Sequence, residues 1–237
     1  MTGVPRRADT DRPAPARGPG LRSRKKAKRR QDILRVAGTL FNRNGFDATT
    51  MAEIADAADI SAPTVFNYFG SKENILSALL FEGTARERRQ HLDRPRPAGL
   101  PLAEILGTLL CELSENTMKI AGKRVWRYAE SANIRRTDTE FQRQFRESDD
   151  ALLRLIRTYL TDYDLAPRTG APADPEFIAQ LFYDRWTARY FDFIKDDAMP
   201  VETHTALVRA DAQMLVALLF DETSVQTARL KDKRTRP

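Results

Sequence analysis

Apolar side chains recur at helical spacing near the start of the chain. Between about residue 26 and Gly45 they lie three or four positions apart, as expected for an amphipathic helix with one buried face. Asn44 and Gly45 follow the last of them, and glycine is typical of a helix C-terminus. The members of this stripe are Ile33, Val36, Ala37, Leu40 and Phe41.

Two shorter helices are predicted next. Thr50 and Glu53 have the spacing of a capping box, so a helix should begin at Met51. Ser61 and Pro63 are typical of a second helix N-terminus. These two short helices, joined by a tight turn, predict a helix-turn-helix motif. A pair of structural helices with no ligand remains the alternative.

The remainder of the chain also has helical periodicity and no sustained alternation typical of β-strands. Ser71 should cap a helix that runs to about His91, and a proline-rich connection follows at 93–101. Longer helices are predicted at 101–121, 123–133, 138–163, 174–195 and 202–221. The sequence therefore predicts an all-α protein.

Composition excludes several classes of protein. The chain of 237 residues has a single cysteine, Cys111, and two histidines, His91 and His204. It therefore has neither an internal disulfide nor a cysteine-rich zinc site, and it offers little for histidine-based catalysis. No apolar run is long enough to span a membrane, and no apolar segment follows the basic N-terminus. We expect a cytoplasmic protein without a metal, a cofactor or catalytic residues.

The positive charge is concentrated at the N-terminus. Residues 1–30 hold eleven basic and two acidic residues, whereas residues 31–72 hold three basic and five acidic ones. The net charge of +6 therefore belongs to an N-terminal arm. Such an arm is a solubilising tail, a phosphate-binding segment or a membrane-surface patch. The lack of large apolar residues disfavours the membrane-surface patch.

The region of about residues 28–80 resembles the DNA-binding domain of TetR-type (tetracycline-repressor-like) transcriptional regulators. The resemblance rests on four stretches at matching spacings: Ile33–Phe41, Gly45–Thr50, Ile54–Ser61 and Thr64–Leu76. It implies a disordered basic arm at 1–24, a three-helix DNA-binding domain at 25–85 with its motif at 50–69, a helical effector-binding and dimerisation domain at 86–222, and a frayed tail at 223–237.

The resemblance also implies roles for individual residues. Thr50 would cap the first motif helix and offer a hydroxyl or N–H group to phosphate, and Lys72 would pair with phosphate at the start of the next helix. Phe66 stands where many relatives have tyrosine, and we expect it to pack between helices. The implied DNA-contacting residues are Thr50, Met51, Ser61, Ala62, Pro63, Thr64, Asn67, Tyr68 and Lys72, with Arg24, Lys25, Lys26 and Lys28 of the arm.

The last two long helices are apolar on more than one face. Because one stripe suffices for a helix's own core, the second should be covered by another copy of the chain. Small residues would allow close helix contact, and dimerisation would place two recognition helices about one DNA turn apart. The predicted interface residues are Ile178, Phe182, Ala206, Ala210, Met214 and Ala217.

Aromatic and sulfur-containing residues of the second domain predict a ligand cavity, although an ordinary core is the alternative. The predicted lining is Cys111, Met118, Trp126, Arg127, Phe145, Phe182 and Trp186. The ligand would be small and hydrophobic or aromatic, with an anionic group as an option because of Arg127. Glu130 is a second polar candidate.

These observations favour a dimeric repressor that a small molecule releases from a palindromic operator. A DNA-binding regulator without an effector, or an activator, stays open. A helical enzyme is disfavoured because the sequence has no nucleophile set, metal cluster or phosphate loop.

Overall fold

A computed structural model describes residues 20–135, 137, 139–170, 172 and 174–232. Within these ranges the chain is almost entirely helical. A π-helical turn at Ala78–Glu82 joins α4 to α5. The α-helices are α1 (Leu21–Asn44), α2 (Met51–Ala57), α3 (Ala62–Phe69), α4 (Lys72–Ser77), α5 (Gly83–Asp93), α6 (Leu102–Ile120), α7 (Lys123–Arg135), α8 (Glu140–Asp162), α9 (Pro175–Lys195), α10 (Val201–Leu219) and α11 (Glu222–Gln226).

The N-terminal domain is a three-helix unit of α1, α2 and α3 that α4 completes. The predicted apolar stripe of α1 is its buried face, and Ile33, Ala37 and Phe41 are fully buried there. Ile54 of α2 and Val65 of α3 are fully buried as well. The all-α class and the N-terminal helix-turn-helix unit are therefore confirmed.

The basic segment is helical over a longer stretch than predicted. Helix α1 begins at Leu21, so residues 21–24 belong to it and the predicted disordered arm at 1–24 is wrong over these four positions. Lysine, arginine and alanine are good helix formers, and no glycine or proline interrupts the chain between Gly20 and Gly38. Residues 1–19 of the arm lie outside the described residues.

The link between the two domains is not the uninterrupted helix predicted from Lys72 to His91. The π-helical turn at Ala78–Glu82 adds a residue to the helical repeat. This changes which residues of α5 face the second domain. Gly83 follows it and packs against α6, where a Cβ atom would lie 3.0 Å from the Ile120 side chain.

The second domain packs α10 against α6 and α9, while α7 and α8 pack against α9. A buried polar cluster lies between the central helices. The indole N–H of Trp186 donates to the Ser114 hydroxyl over 2.9 Å, and that hydroxyl lies 2.8 Å from Nε2 of His204. Burial lowers the pKa of His204 to about 4. Among the helices described, none combines the length and apolar character that a membrane span requires.

The C-terminal segment is ordered as far as Asp232, so the prediction of a frayed tail at 223–237 is wrong over most of its length. Asp221 caps α11, and Arg229–Leu230 (β2) pairs antiparallel with Tyr163–Asp164 (β1). Tyr163, fully buried, donates its hydroxyl to the Pro97 carbonyl over 2.7 Å. Two-residue strands are too short to produce a recognisable alternation. Residues 233–237 lie outside the described part of the chain.

Candidate DNA-binding surface and ligand cavity

The helix-turn-helix motif is held by local hydrogen bonds that the sequence encodes. The Thr50 N–H donates to the Glu53 carboxylate over 2.7 Å, and the Glu53 N–H donates to the Thr50 hydroxyl over 3.1 Å. This confirms the capping box, and these bonds lower the pKa of Glu53. Between α2 and α3 the chain turns at Asp59, whose φ of 54° lies in the left-handed region that aspartate tolerates better than most residues.

Helix α3 buries one face and exposes the other. Val65 and Phe69 are buried in the domain. The opposite face carries the predicted base-contacting residues: Ser61, Ala62, Pro63 and Asn67 are exposed, and Thr64 and Tyr68 are half-buried. Ser61 does not cap α3 through its side chain, because its hydroxyl lies 2.8 Å from that of Thr64. The structure thus leaves this face of α3 open at the domain surface.

Phe66 is on the exposed face of α3, and the prediction that it packs between helices is wrong. Its exposed fraction is 59%. It follows Pro63 by three positions, so the two side chains are neighbours on the helix surface. An apolar ring there suits contact with a thymine methyl group in the major groove. The spacing of three positions from Pro63 could have predicted this exposed location from the sequence, although the hydrophobicity of Phe66 favours burial.

Thr50 and Met51 are less open to DNA than predicted. The Thr50 hydroxyl accepts from the Glu53 N–H and also lies 2.9 Å from the Glu53 carboxylate, while the Thr50 N–H is bound to the same carboxylate. Both donors that were expected to reach phosphate are therefore already used. Met51 is half-buried and packs against the core. These residues fix the start of α2.

Lys72 does not have the free ammonium group that a phosphate contact requires. Its Nζ donates to the carbonyls of Phe46, Asp47 and Thr49 over 2.8, 3.1 and 2.6 Å. It also lies 4.5 Å from the centre of the Phe46 ring. Lys72 therefore ties the start of α4 to the loop between α1 and α2, and the predicted pairing with phosphate conflicts with this arrangement.

Substituting Lys72→Met is expected to destabilise the free protein by about 2 kcal/mol, because three carbonyl groups lose a charged donor. Urea unfolding of the variant measures this loss, with Lys119→Met on the exposed side of α6 as the control. A residue that only contacts phosphate would leave the stability of the free protein unchanged. An unfolding midpoint equal to that of the unsubstituted protein would contradict the positioning role.

The basic start of α1 lies beside the C-terminal end of α3. A surface recess is lined by basic residues of α1 on one side and by Asn67 and Tyr68 on the other. Arg30 holds the two helices in place, with its guanidinium 4.8 Å from the centre of the Phe69 ring. The basic lining residues are Arg22, Lys25, Lys26, Lys28 and Arg29, and Arg24 is exposed nearby. Of the predicted arm contacts, Lys25, Lys26 and Lys28 therefore meet α3 in one surface.

The second domain contains a cavity of about 220 Å³ between α5, α6, α7, α8 and α9. Three predicted lining residues are present in it: Trp126, Phe145 and Trp186. Trp186 stacks on Tyr190 at a ring separation of 5.3 Å, and Trp126 meets Tyr190 edge-on at 6.2 Å. Ile134, with an exposed fraction of 72%, lies at its opening to solvent. Most of its wall is aromatic or aliphatic.

Four residues predicted to line this cavity do not. The Arg127 guanidinium binds the Ile194 carbonyl over 2.6 Å and pairs with Asp197 over 2.8 Å. Cys111 is buried against α10, with its thiol 3.4 Å from the Thr205 carbonyl, and burial raises its pKa. Phe182 is packed in the core, and Met118 packs against the core without bordering the cavity. The direction of each side chain depends on helix rotation, which a single apolar pattern does not specify.

The polar wall of the cavity is acidic. Glu130 of α7 and Asp149 of α8 line it with Arg88 of α5. Burial raises the pKa of Glu130 to about 7 and that of Asp149 to about 6, and it lowers that of Arg88 to about 10. The Arg88 charge partly offsets the shift of Asp149, and Arg88 also donates to the Ser148 hydroxyl over 3.1 Å. Glu130 was predicted as a polar candidate for the cavity, whereas Arg88 and Asp149 were not, since nothing in their local pattern marks them as lining.

The half-buried Glu130 is expected to make the stability of the protein depend on pH. Its folded-state pKa of about 7 exceeds the ordinary value of 4.5, so ionisation destabilises the folded state as the pH rises between these values. Glu130→Gln should therefore gain about 2 kcal/mol near pH 8 relative to its effect near pH 5. Unfolding by urea at both pH values measures this, with exposed Glu147→Gln as the control. Equal effects at the two pH values would contradict the assignment.

The outer face of α10 is open and consists largely of small and apolar residues. Ala206, Ala210, Met214 and Ala217 of the predicted interface are exposed on it, together with Leu218. Met214 and Leu218 have exposed fractions of 62% and 61%. The other two predicted residues do not share this exposure: Ile178 and Phe182 are buried within the subunit, so their inclusion in the interface is wrong. The large apolar side chain that is exposed on the described helix α9 is that of their neighbour Phe177.

The fold and the motif together define a helix-turn-helix protein with a separate helical domain. Residues 33–79 match the model of the bacterial regulatory proteins of the tetR family. The chain is 39% identical over 71 residues to the transcriptional regulator TcmR of Streptomyces glaucescens, covering 29% of this chain and 31% of TcmR. It is 42% identical over 55 residues to the transcriptional repressor KstR2 of Rhodococcus jostii, covering 23% and 27%.

The solved structure of FadR from Bacillus subtilis in complex with stearoyl-CoA shares the fold. It superposes with a TM-score of 0.56 over 79% of this chain and 98% of FadR, at 16% sequence identity. Over residues 33–79 the chain is therefore similar to the TetR-type regulators, and the named relatives are regulators or repressors of transcription. The matches to TcmR and KstR2 span less than a third of the length of those proteins.

Proposed function

We propose that the protein is a dimeric transcriptional repressor that binds a palindromic operator and is released from it by a small molecule. The observation that carries this proposal is the surface on which the basic start of α1 adjoins the exposed face of α3. Lysine and arginine side chains supply sequence-independent attraction to phosphate, while the start of a recognition helix reads base edges. The described surface combines both elements.

Sequence specificity in this account comes from the exposed residues of α3. Ala62 and Pro63 are small enough for close approach to base edges, and Asn67 offers an amide that suits adenine or phosphate. Phe66 adds an apolar contact. Positioning comes from basic residues 22–29 of α1, because the rest of the domain through Lys72 is net acidic. The duplex would therefore lie across α3 with its backbone along α1.

The face of α10 supports assembly of two chains. Two copies joined through the stripe of Ala206, Ala210, Met214 and Ala217 would form a four-helix arrangement with α9. A two-fold axis would then present two α3 helices to successive major grooves about 34 Å apart. A palindromic operator follows from that symmetry.

The junction between the domains supports release by a ligand. Phe81, in the π-helical turn, lines the cavity, and its ring lies 5.4 Å from that of Phe141 and 5.5 Å from that of Phe145. The adjacent Glu82 pairs with Arg30 of α1. A ligand that displaces Phe81 would thus act on the residue next to a contact with the DNA-binding domain. Such coupling is reciprocal, so operator DNA should weaken ligand binding by the factor by which the ligand weakens operator binding.

Selection of bound genomic fragments by the purified full chain tests the proposal. We expect enrichment of one palindromic sequence, and we expect a variant with Ala62→Glu and Asn67→Glu on α3 to enrich none. Glu73→Gln, exposed on α4, serves as the control. Fragments without a shared sequence, or the same enrichment by the α3 variant, would contradict specific binding through α3. Genes next to the enriched site would then suggest compounds to test for release.

A regulator without an effector is the second candidate, and an activator is the third. The cavity of about 220 Å³ with its half-buried polar wall favours an effector over its absence. The position of the operator relative to the promoter decides between repression and activation.

A further inference from the structure

The cavity of the second domain has a polar wall that carries more potential negative than positive charge. Glu87 and Arg88 come from α5, Glu130 from α7 and Asp149 from α8. Arg88 lies close enough to Asp149 to favour that residue's ionised form. No described residue forms a hydrogen bond or an ion pair with the Glu130 carboxyl, and its charged neighbour Asp149 is also an acid. Glu130 is therefore an acid of this wall that the described residues leave without a cation.

A second observation also points to a missing partner in the same cavity. The hydroxyl group of Tyr190 is buried and has no hydrogen-bond partner among the described residues. Tyr190 borders the cavity, and both Glu130 and Asp149 raise its pKa in addition to burial. Buried polar groups in folded proteins are nearly always hydrogen-bonded. A ligand with a donor group would bring a partner to Glu130 and Tyr190 together.

The remaining wall suits an apolar body with a positive charge. Tyr190 is in ring contact with both Trp126 and Trp186, and Phe81 and Phe145 meet at 5.5 Å with their planes nearly perpendicular. Aromatic faces attract cations, and Trp is the strongest of them. A carboxylate or phosphate ligand would instead meet the carboxyl groups of Glu87, Glu130 and Asp149, with Arg88 as the single cation among the cavity-lining residues that the structure describes.

We infer that the effector is a hydrophobic amine, whose ammonium group binds at Glu130 and Tyr190 and whose apolar part lies among the aromatic rings. This inference rests on the proposed function, because it assigns a ligand class to the effector cavity. It replaces the anionic ligand suggested by Arg127 in the sequence. It also distinguishes this cavity from one that binds an acyl-CoA, the anionic ligand of the FadR structure.

Three probes that differ only in their polar group test the inference: phenylbutylamine, phenylbutanol and phenylbutanoate. The chain has two tryptophans, and both line the cavity, so quenching of their fluorescence reports occupancy. Near pH 8 we expect the amine to bind at least about tenfold more tightly than the alcohol, and the carboxylate most weakly. Glu130→Gln should reduce the preference for the amine to about twofold or less, while binding of the alcohol stays the same.

Titration against pH gives an independent readout. The groups around Glu130 are Glu87 and Arg88 of α5, Asp149 of α8, and Tyr183 and Tyr190 of α9. Since Glu130 has a pKa of about 7, affinity for the amine should fall as the pH is lowered from about 8 to 6. Affinity for the alcohol should not follow it. The exposed variant Glu147→Gln is the control and should retain the preference and its pH dependence.

The possible outcomes distinguish failure of the amine assignment from failure of the proposed effector cavity. Tighter binding of the alcohol or the carboxylate would overturn the assignment of an amine but leave an effector cavity in place. A preference for the amine that survives Glu130→Gln would overturn the role of Glu130. Absence of binding by all three probes up to millimolar concentration would overturn both the ligand class and the cavity's role as an effector site.

Discussion

Replacing Lys25, Lys26, Lys28 and Arg29 together with glutamine is expected to weaken operator binding roughly a hundredfold or more near 0.15 M salt. These residues line the recess beside α3 and are exposed along the first turns of α1. Each phosphate contact releases counterions, so the slope of log affinity against log salt should become shallower by up to about 4. Fluorescence anisotropy with a labelled operator measures both quantities over a series of salt concentrations.

The control removes the same number of charges elsewhere. Glutamine at Lys119, Arg135, Arg146 and Lys195 changes four exposed residues on α6, α7, α8 and α9. That variant should keep the slope and nearly all of the affinity, because none of its substitutions touches α1 or α3. Equal losses in the two variants would show that net charge alone drives binding, and an unchanged slope in the α1 variant would rule out its contact with the phosphate backbone.

The combined substitution Met214→Arg and Leu218→Arg is expected to convert a dimer into a monomer. Both side chains are more than half exposed on the outer face of α10, and a two-fold axis would place like charges close together at the interface. A monomer has one α3, so operator affinity should fall by more than a hundredfold because the second half-site is no longer bound by the same particle. Sedimentation velocity and operator titration measure the two effects.

The matched control places arginine at two other exposed leucines. Leu92 and Leu100, with exposed fractions of 47% and 38%, lie at the end of α5 and in the loop after it. Arginine at both should leave the sedimentation coefficient and operator affinity unchanged. If the α10 variant stayed dimeric, the interface would lie elsewhere. If the unsubstituted chain sedimented as a monomer, the palindromic operator would lose its structural basis.

The helix-turn-helix motif could be predicted in detail because its signals are local. Thr50 and Glu53 form the capping box that their spacing predicts, and the Ser71 hydroxyl accepts from the Asn74 N–H at the start of α4. Such bonds join residues three positions apart and need no tertiary information. The contacts of Lys72 could not be predicted in this way, because they are not local. Its three acceptors lie more than twenty positions earlier in the chain, so its positioning role is visible only in the folded domain.

The basic segment could be read in two ways from the sequence. A block of like charges is usually solvated and disordered, yet lysine, arginine and alanine are also strong helix formers. In the structure the segment is helical from Leu21 onwards, because it continues a helix that Ile33 and Phe41 anchor in the core. The sequence therefore located the charge correctly but not its conformation.

The helices of the second domain could be predicted, but the faces that line the cavity could be predicted only in part. Aromatic composition found Trp126, Phe145 and Trp186, and the two-stripe pattern found the exposed face of α10. Which face of each helix meets the cavity depends on packing between helices far apart in sequence. Arg127 and Glu130 lie three positions apart on α7, yet Arg127 reaches the end of α9 while Glu130 enters the cavity. The C-terminal pairing of Arg229–Leu230 with Tyr163–Asp164 left no pattern in the sequence.

Operator binding with one half-site scrambled tests the central claim most directly. The palindrome obtained by genomic selection is compared with a duplex of equal length in which one half-site has its bases shuffled, at one fixed salt concentration. A dimer that reads both halves through α3 predicts at least about a hundredfold weaker binding to the scrambled duplex, with a shift from one dimer per site to weak, non-specific binding. Equal affinity for the two duplexes would contradict sequence-specific recognition by a symmetric dimer.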